Sequence, residues 1–432
     1  MAERAPSAAI PDRFLTHNVL VGGSTLLAGA LGFAFQALIS HRLRPSEYAA
    51  VFGSMTLLTL ITLPGAAMTL LMARETSRNR ANGHFASSTA MLREGNRLLI
   101  ASGITLALII AAGSPWIARF LNAPVSLVLA VAASLPVSLA LPLLLGEIQG
   151  QQRFFSLSVL TSGQAGLKVL AAVALGTVFG PVGVLWGIAI AITVTYLMGW
   201  YLLQQKLRSR VGARWLPRAL GYLSIVLPST LALSVLLSAD VLLANHFFSK
   251  TVAGEYGAVA ALGRAIFWGA AGVAAVLFPK VIFQEARGGS GSRIVALSLA
   301  LVVLGGAVGL LLLSASSKFV LAAFSGTAYQ AGAQYLAGYA VAMTLFGCAS
   351  VLIATHQSRA QRAFLGVLIP VAIAEPLAIT VFHRDPIEVV QVLIVSMAAL
   401  VLGLAVVLLR SRPAAVGIIA APTRTLLTEL QA

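Results

Sequence analysis

Four ionisable residues lie inside long apolar stretches of this sequence, where a charge is costly unless it has a partner or a purpose. They are two cations, Lys168 and Arg264, and two carboxylic acids, Asp240 and Glu375. Buried cations can bind phosphate groups, and buried acids can bind cations or carry protons. These residue types indicate binding of a charged solute in apolar surroundings, so the placement of each one matters.

The two cations lie deep in their apolar stretches. Lys168 is in the middle of the stretch 156–179, so its side chain cannot easily reach the membrane surface. Phosphate binding and a structural ion pair both remain open for it. Arg264 follows Ala253 by eleven residues, which is about 16 Å along a helix and close to a membrane midplane. Because a guanidinium can grip a phosphate with two parallel hydrogen bonds, Arg264 is the best candidate for contact with an anionic substrate.

The two acids each have more than one open role. Asp240 is about five residues from the outer end of its stretch, some 7–8 Å in, so interfacial exposure, cation coupling and pairing with Arg264 all remain open. Glu375 lies between Pro370 and Pro376, and prolines inside a membrane helix are tolerated where a cavity or partner satisfies the freed carbonyls. Glu375 could pair with Lys168 or Arg264, or it could titrate as a coupling group.

Two further polar residues belong to the candidate set. Gln36 lies near the outer end of the first apolar stretch, at roughly the position that Asp240 has in the second half of the chain. Arg44 and its neighbour Arg42 lie in the next loop, where they could hold an anion or could be ordinary loop charges.

The composition is that of an integral membrane protein. Of 432 residues, 59% are hydrophobic and only 10% are charged, whereas a soluble protein has about 25% charged residues. The net charge is +16, but the cations form short clusters between apolar stretches, which favours membrane topology signals over nucleic-acid binding. The single cysteine, Cys348, excludes an intrachain disulfide.

The apolar stretches predict about twelve transmembrane helices, since each spanning helix needs about 20 apolar residues. They cover 18–40, 49–73, 98–119, 125–146, 156–179, 182–204, 219–245, 253–279, 294–316, 330–354, 364–382 and 387–409. With both termini in the cytoplasm, the inside segments hold 21 of the 29 Lys and Arg residues and the outside loops hold 5. The predicted division is an N-terminal six-helix lobe (1–205), a basic cytoplasmic connector (206–218) and a C-terminal six-helix lobe (219–432).

A short internal repeat supports two lobes related by pseudo-two-fold symmetry. Ser46–Val51 (SEYAAV) matches Gly254–Val259 (GEYGAV), 208 residues later. Both segments follow one spanning helix and begin the next, and both lie outside in the predicted topology. The two halves are therefore expected to be parallel repeats, related by an axis along the membrane normal.

The same segments carry a resemblance to a known family. Leu43–Tyr48 resembles the first loop of the multidrug/oligosaccharidyl-lipid/polysaccharide exporter superfamily, and Ala253–Ala258, running on to Phe278–Lys280, is similar to the corresponding segment of its polysaccharide-transporter branch. The sequence departs from that pattern at Glu255 and Ala49. The resemblance implies an all-α flippase of the bacterial inner membrane that moves a polyprenyl-diphosphate-linked oligosaccharide for cell-surface polysaccharide synthesis. It also implies that Arg264 lies on a helix lining the central cavity.

Three other functions are alternatives to an oligosaccharide flippase. A cation-coupled multidrug exporter would favour deep acids, yet the first six stretches contain none at depth, and Glu147 is at a cytoplasmic edge. A lipid II flippase commonly has fourteen helices rather than twelve. A membrane enzyme is disfavoured because the outside loops are short and no paired His, Asp and Glu cluster stands out. The sequence predicts no cofactor and no metal, a membrane-lipid environment, a lipid-linked anionic oligosaccharide as substrate, and glycan polymerase machinery as a possible partner.

Overall fold

The computed structural model describes residues 12–81, 85–208, 216–286, 292–359 and 361–410. Every regular element in these ranges is helical, and two short 3-10 turns, Leu63–Gly65 and Thr327–Gly332, join helices. The helices are α1 (Asp12–Arg42), α2 (Pro45–Thr62), α3 (Ala66–Ala81), α4 (Phe85–Ala112), α5 (Ser114–Phe120), α6 (Val125–Gly150), α7 (Phe154–Arg208), α8 (Leu216–Leu236), α9 (Ala239–Phe247), α10 (Lys250–Ala286), α11 (Ser292–Ala315), α12 (Ser317–Ser325), α13 (Ala333–Ser358), α14 (Leu365–Val381) and α15 (Pro386–Arg410).

The helices of the described ranges confirm the predicted all-α membrane fold. Nine helical stretches are long and apolar enough to cross a membrane. One of them, α7, has 55 residues and bends in the middle, so it can cross twice. The long helix α10 and the shorter apolar helix α14 complete the twelve crossings.

The bend in α7 falls where the sequence predicts a break. Gly180 has φ +59° and ψ −142°, a left-handed conformation that favours glycine because it has no Cβ. Pro181 follows and has no backbone N–H to donate to the preceding turn. Together these two residues separate the fifth crossing from the sixth.

The helices pack as two groups. In the first, which we call the N-terminal bundle (α1–α7), α6 packs against α3, α4 and α7, and α1 lies along α7. In the second, the C-terminal bundle (α8–α15), α13 packs against α10, α11 and α15, and α14 packs against α8 and α15. The main contact between the bundles joins α2 to α10.

The predicted lobe boundaries stay a prediction, and part of the predicted connector, 209–215, lies outside the described residues. For orientation we call the end of the bundles that holds residues 41–47 and 247–250 the outer end, after the topology predicted from the charge bias. The opposite end, which holds residues 147–153, is the inner end.

Candidate functional site

A buried polar cluster of the C-terminal bundle joins Arg264 to Asp240. Nη2 of Arg264 lies 2.9 Å from Oδ1 of Asp240, and the carboxylate is almost wholly buried. A break at Leu237–Ser238 starts the short helix α9 and places Asp240 in its first turn. Arg264 is fourteen residues into α10, about 21 Å from its start, and its long side chain reaches the acid.

Two tyrosines complete the coordination of this ion pair. The Tyr339 hydroxyl donates to Oδ2 of Asp240 at 2.8 Å and accepts from Nε of Arg264 at 3.2 Å. The Tyr256 hydroxyl also donates to Oδ2, at 3.2 Å. A buried charge pair is tolerated when its remaining polar atoms are satisfied in this way. The carboxylate of Asp240 is therefore fully engaged by side chains from α10 and α13.

The guanidinium of Arg264 is only partly engaged. Two of its five N–H groups have partners in the described part of the chain, and 11% of the side chain is exposed. Its central carbon lies 5.6 Å from the centre of the Phe52 ring, which belongs to α2 of the other bundle. Arg264 is thus a neutralised cation with spare donors, positioned where the bundles meet.

Lys168 is in a different situation. Its ammonium lies 4.6 Å from the centre of the Phe35 ring of α1, a cation–π distance. Among the described residues no carboxylate pairs with it and no hydrogen-bond acceptor contacts it. The structure therefore places an uncompensated cation, partly buried, in the N-terminal bundle.

Glu375 is an acid without a hydrogen-bond partner among the described residues, whereas Lys168 is a cation without one. The residue is fully buried on α14, and neither carboxyl oxygen has a hydrogen-bond partner among the described residues. Neither of the pairs considered from sequence, with Lys168 or with Arg264, is formed. Helix α14 packs against α9, the short helix that holds Asp240.

The remaining two candidates lie nearer the outer end. Gln36 accepts a hydrogen bond from the hydroxyl of Tyr48 at 3.2 Å, as Asp240 does from Tyr256. Arg44 is exposed and directly precedes α2, and its backbone N–H donates to the Glu47 carboxylate at 3.0 Å. The structure therefore brings Asp240 and Arg264 together and leaves Lys168, Glu375 and Arg44 apart from them.

The two bundles are joined at the outer end by a symmetric pair of histidine contacts. Nε2 of His41, at the end of α1, donates to the carbonyl oxygen of Ala323 in α12 at 3.0 Å. Nδ1 of His246, at the end of α9, donates to the carbonyl oxygen of Phe120 in α5 at 3.2 Å. Each histidine ends the first crossing of its half and contacts a short helix of the other half. We call these two contacts the histidine bridges.

Further contacts close the same end. The hydroxyl of Tyr329 donates to the backbone carbonyl oxygen of Leu43 at 2.8 Å, and the side-chain amide of Asn122 donates to the backbone carbonyl oxygen of Asn245 at 2.7 Å. A Cβ on Gly254 would collide with the carbonyl oxygen of Pro45, so only glycine allows α10 to approach α2 this closely. The outer end is therefore tightly packed across the bundle interface.

The fold was compared with known proteins. No protein-family model and no curated protein matches the chain. Among solved structures, an inward-facing multidrug resistance MATE family transporter of the MOP superfamily is similar with a TM-score of 0.74 and 14% identity over 89% of this chain and 96% of that one. The lipid II flippase MurJ in an inward closed conformation is similar with a TM-score of 0.71 and 13% identity, over 90% of this chain and 87% of that one. The eukaryotic MATE transporter AtDTX14 is similar with a TM-score of 0.66 and 12% identity, over 93% of this chain and 96% of that one.

The chain therefore shares the fold of these three transporters. At these identities the similarity extends to the fold alone, and that fold occurs in exporters and in a flippase.

The inner end of the N-terminal bundle holds Glu147, an acid that the sequence analysis placed at a cytoplasmic edge. Glu147 is fully buried and pairs with Lys206 at 2.6 Å between Oε1 and Nζ. It also accepts hydrogen bonds from Thr76 and Gln151. Because α3, α6 and α7 all contribute to this cluster, Glu147 joins three helices of one bundle, and its charge is already paired with Lys206.

Sequence reasoning missed the histidine bridges and the tyrosines around Asp240. One signal was available for the histidines, since His41 and His246 lie 205 residues apart and both end the first crossing of their repeat. Tyr256 lies within the repeated segment itself. Tyr339 is 75 residues from Arg264, and nothing local in the sequence connects them.

Proposed function

We propose that this protein is a flippase that moves an anionic lipid-linked oligosaccharide across the membrane by alternating access of its two bundles. The carrier would be a polyprenyl diphosphate, and the membrane a bacterial inner membrane with both termini in the cytoplasm. Glycan polymerase machinery would receive the product. In this proposal the protein is not an enzyme, since the bond that joins lipid to glycan is left intact.

The observation that carries the proposal is the unpaired ammonium of Lys168. A partly buried cation without an anion is costly inside a membrane, and the cost is recovered when an anionic group binds beside it. Arg264 adds three N–H groups that lack partners among the described residues, at the contact between the two bundles. Since the structure leaves the two cations apart, the diphosphate would contact them one after the other during the cycle.

The closed outer end supports the transport cycle. The histidine bridges and the approach of Gly254 to Pro45 hold the bundles together on one side of the membrane. In an alternating-access cycle the same contacts would break when the substrate moves to the other side. The bundles would then rock about the level of Arg264 and Phe52.

The proposal can be tested in proteoliposomes loaded with a fluorescent polyprenyl-diphosphate sugar and read with a membrane-impermeant quencher. Lys168→Met should slow translocation about tenfold or more, because a charge-assisted contact contributes about 1.5–3 kcal/mol. Lys318→Met is the matched control, since Lys318 is exposed at the outer end and should leave the rate unchanged. Equal rates for Lys168→Met and the wild type would contradict the proposal.

A second candidate is a cation-coupled exporter, and one observation favours it. Glu375 is a fully buried acid with no hydrogen-bond partner among the described residues, which is the type of group that can bind a cation inside a membrane. Under this alternative, Glu375→Gln would abolish efflux of a cationic dye from proteoliposomes. The flippase proposal expects no dye efflux in either form. A lipid II flippase would also move a lipid with an anionic headgroup. Replacing the oligosaccharide probe with lipid II in the same assay would distinguish an oligosaccharide flippase from a lipid II flippase.

A further inference from the structure

Helices α1 and α7 run side by side in the same direction, along a contact that we call the α1–α7 seam. The hydroxyl of Ser162 donates to the carbonyl oxygen of Ser24 at 3.1 Å. Further along, Lys168 lies over the ring of Phe35. Residue numbers rise together in both helices, so the seam leads from the inner end past Lys168 toward the outer end.

The seam ends at the outer end in a cavity of about 330 Å3. Arg42 lines it from α1, seven residues or two helical turns after Phe35, which places the two residues on the same side of α1 and about 10 Å apart along the axis. Gly176 lines it from α7, eight residues after Lys168 and about 12 Å further along the helix axis. The cavity therefore continues the line on which Lys168 lies.

The lining combines one cation with an apolar wall. The guanidinium of Arg42 has no hydrogen bond or ion pair with any described residue, and no carboxylate lines the cavity. Leu43 and Val173 supply the accessible apolar surface, and the hydroxyl of Thr177 supplies a second polar group. A small soluble anion would leave that apolar wall in contact with water, whereas a phosphate attached to a hydrocarbon chain would cover it.

We propose that this cavity is a second binding site, for a phosphate ester carried on a lipid chain. Arg42 holds the phosphate, and the wall formed by Leu43 and Val173 contacts the first carbons of the chain. The inference extends the proposed function, in which Lys168 binds the same kind of anion deeper in the seam. The outer site then holds the headgroup after it has passed Lys168.

The test is an equilibrium binding measurement that needs no transport. The full chain is placed in nanodiscs of zwitterionic phosphatidylcholine and titrated with a fluorescent polyprenyl monophosphate. Arg42→Gln should weaken binding about tenfold, because a guanidinium–phosphate contact is lost. Arg384→Gln removes another exposed arginine at the outer end and should change the dissociation constant by less than about twofold.

Val173→Phe is the complementary variant, since it keeps every charge and fills the cavity. It should lose binding as Arg42→Gln does, provided that the unfolding midpoint stays near that of the wild type. Unchanged binding in Arg42→Gln would overturn the inference, as would equal losses in Arg42→Gln and Arg384→Gln. Displacement of the probe by an equal concentration of inorganic pyrophosphate would overturn the assignment to a lipid. Normal binding with no flipping would count against the proposed function alone.

Discussion

The hairpin of α1 and α2 and the hairpin of α9 and α10 use the same local device. Early in the second helix of each, a tyrosine hydroxyl donates to a side chain of the first helix at 3.2 Å, from Tyr48 to Gln36 and from Tyr256 to Asp240. Each first helix also ends in a histidine that contacts the other bundle. The scaffold of the repeat is therefore retained.

The two hairpins differ in charge. Asp240 in the second hairpin is paired with Arg264, whereas Gln36 in the first is neutral and α2 has no cation at depth. The N-terminal bundle instead has its unpaired cation, Lys168, on α7. The two similar scaffolds thus differ in electrostatics, since one holds a buried charge pair and the other packs beside Lys168, which has no charged partner among the described residues.

Removal of Arg264 should have the largest effect on the second hairpin. Arg264→Ala leaves Asp240 charged and buried, so the free energy of unfolding should fall by about 3–5 kcal/mol. The corresponding change in the first hairpin, Gln36→Leu, removes one hydrogen bond and should cost about 1 kcal/mol. Chemical unfolding in detergent measures both, and equal losses would contradict the difference in charge described above.

A paired control distinguishes charge from packing at the same site. Asp240→Asn with Arg264→Gln leaves neither charge buried, so the double variant should lose less stability than Arg264→Ala alone. A double variant that is less stable than Arg264→Ala would show that the packing around these side chains, and not the pairing of charges, stabilises the hairpin.

Gly254 and Ser46 are equivalent in the repeat but are packed differently. Gly254→Ala should separate α10 from α2 at Pro45 and lower the free energy of unfolding by about 1–3 kcal/mol, as overpacking does. Ser46→Ala only shortens a side chain and should change it by less than about 0.5 kcal/mol. Unfolding midpoints of the two variants check this, and a tolerated Gly254→Ala would mean that the outer ends are not in close contact.

The histidine bridges should behave alike in the two hairpins. His41→Phe and His246→Phe each delete one hydrogen bond and keep a flat ring, so each should cost about 0.5–1.5 kcal/mol. In His246→Phe the new phenyl ring can still stack on Phe120, as the histidine ring does at a centroid distance of 4.3 Å. A loss in only one of the two variants, measured in the same unfolding assay, would break the symmetry of the bridges.

Part of this structure follows from the sequence and part does not. The number of crossings, the break at Gly180 and the deep position of Lys168 depend on local composition, which the sequence displays directly. The pairing of Arg264 with Asp240 depends on the break at Leu237–Ser238 and on Tyr339, which is far away in the chain. Hydropathy cannot reveal such contacts, because they depend on which helix faces which.

The histidine bridges illustrate the same limit. Each histidine is an ordinary loop residue by local sequence, and its partner is a backbone carbonyl with no residue-type signature. Comparison of the two halves would have singled out the histidines but not their acceptors. Symmetry was therefore the one sequence feature that could have predicted a contact between the bundles.

The central claim, that the protein moves an anionic lipid-linked substrate, is tested most directly with the wild-type chain and two probes. Proteoliposomes are given either a fluorescent polyprenyl-diphosphate oligosaccharide or a cationic dye, and translocation of each is followed with and without an imposed ion gradient. We expect the anionic lipid to cross at a protein-dependent rate and the dye to be retained. Dye transport without movement of the anionic lipid would contradict the account.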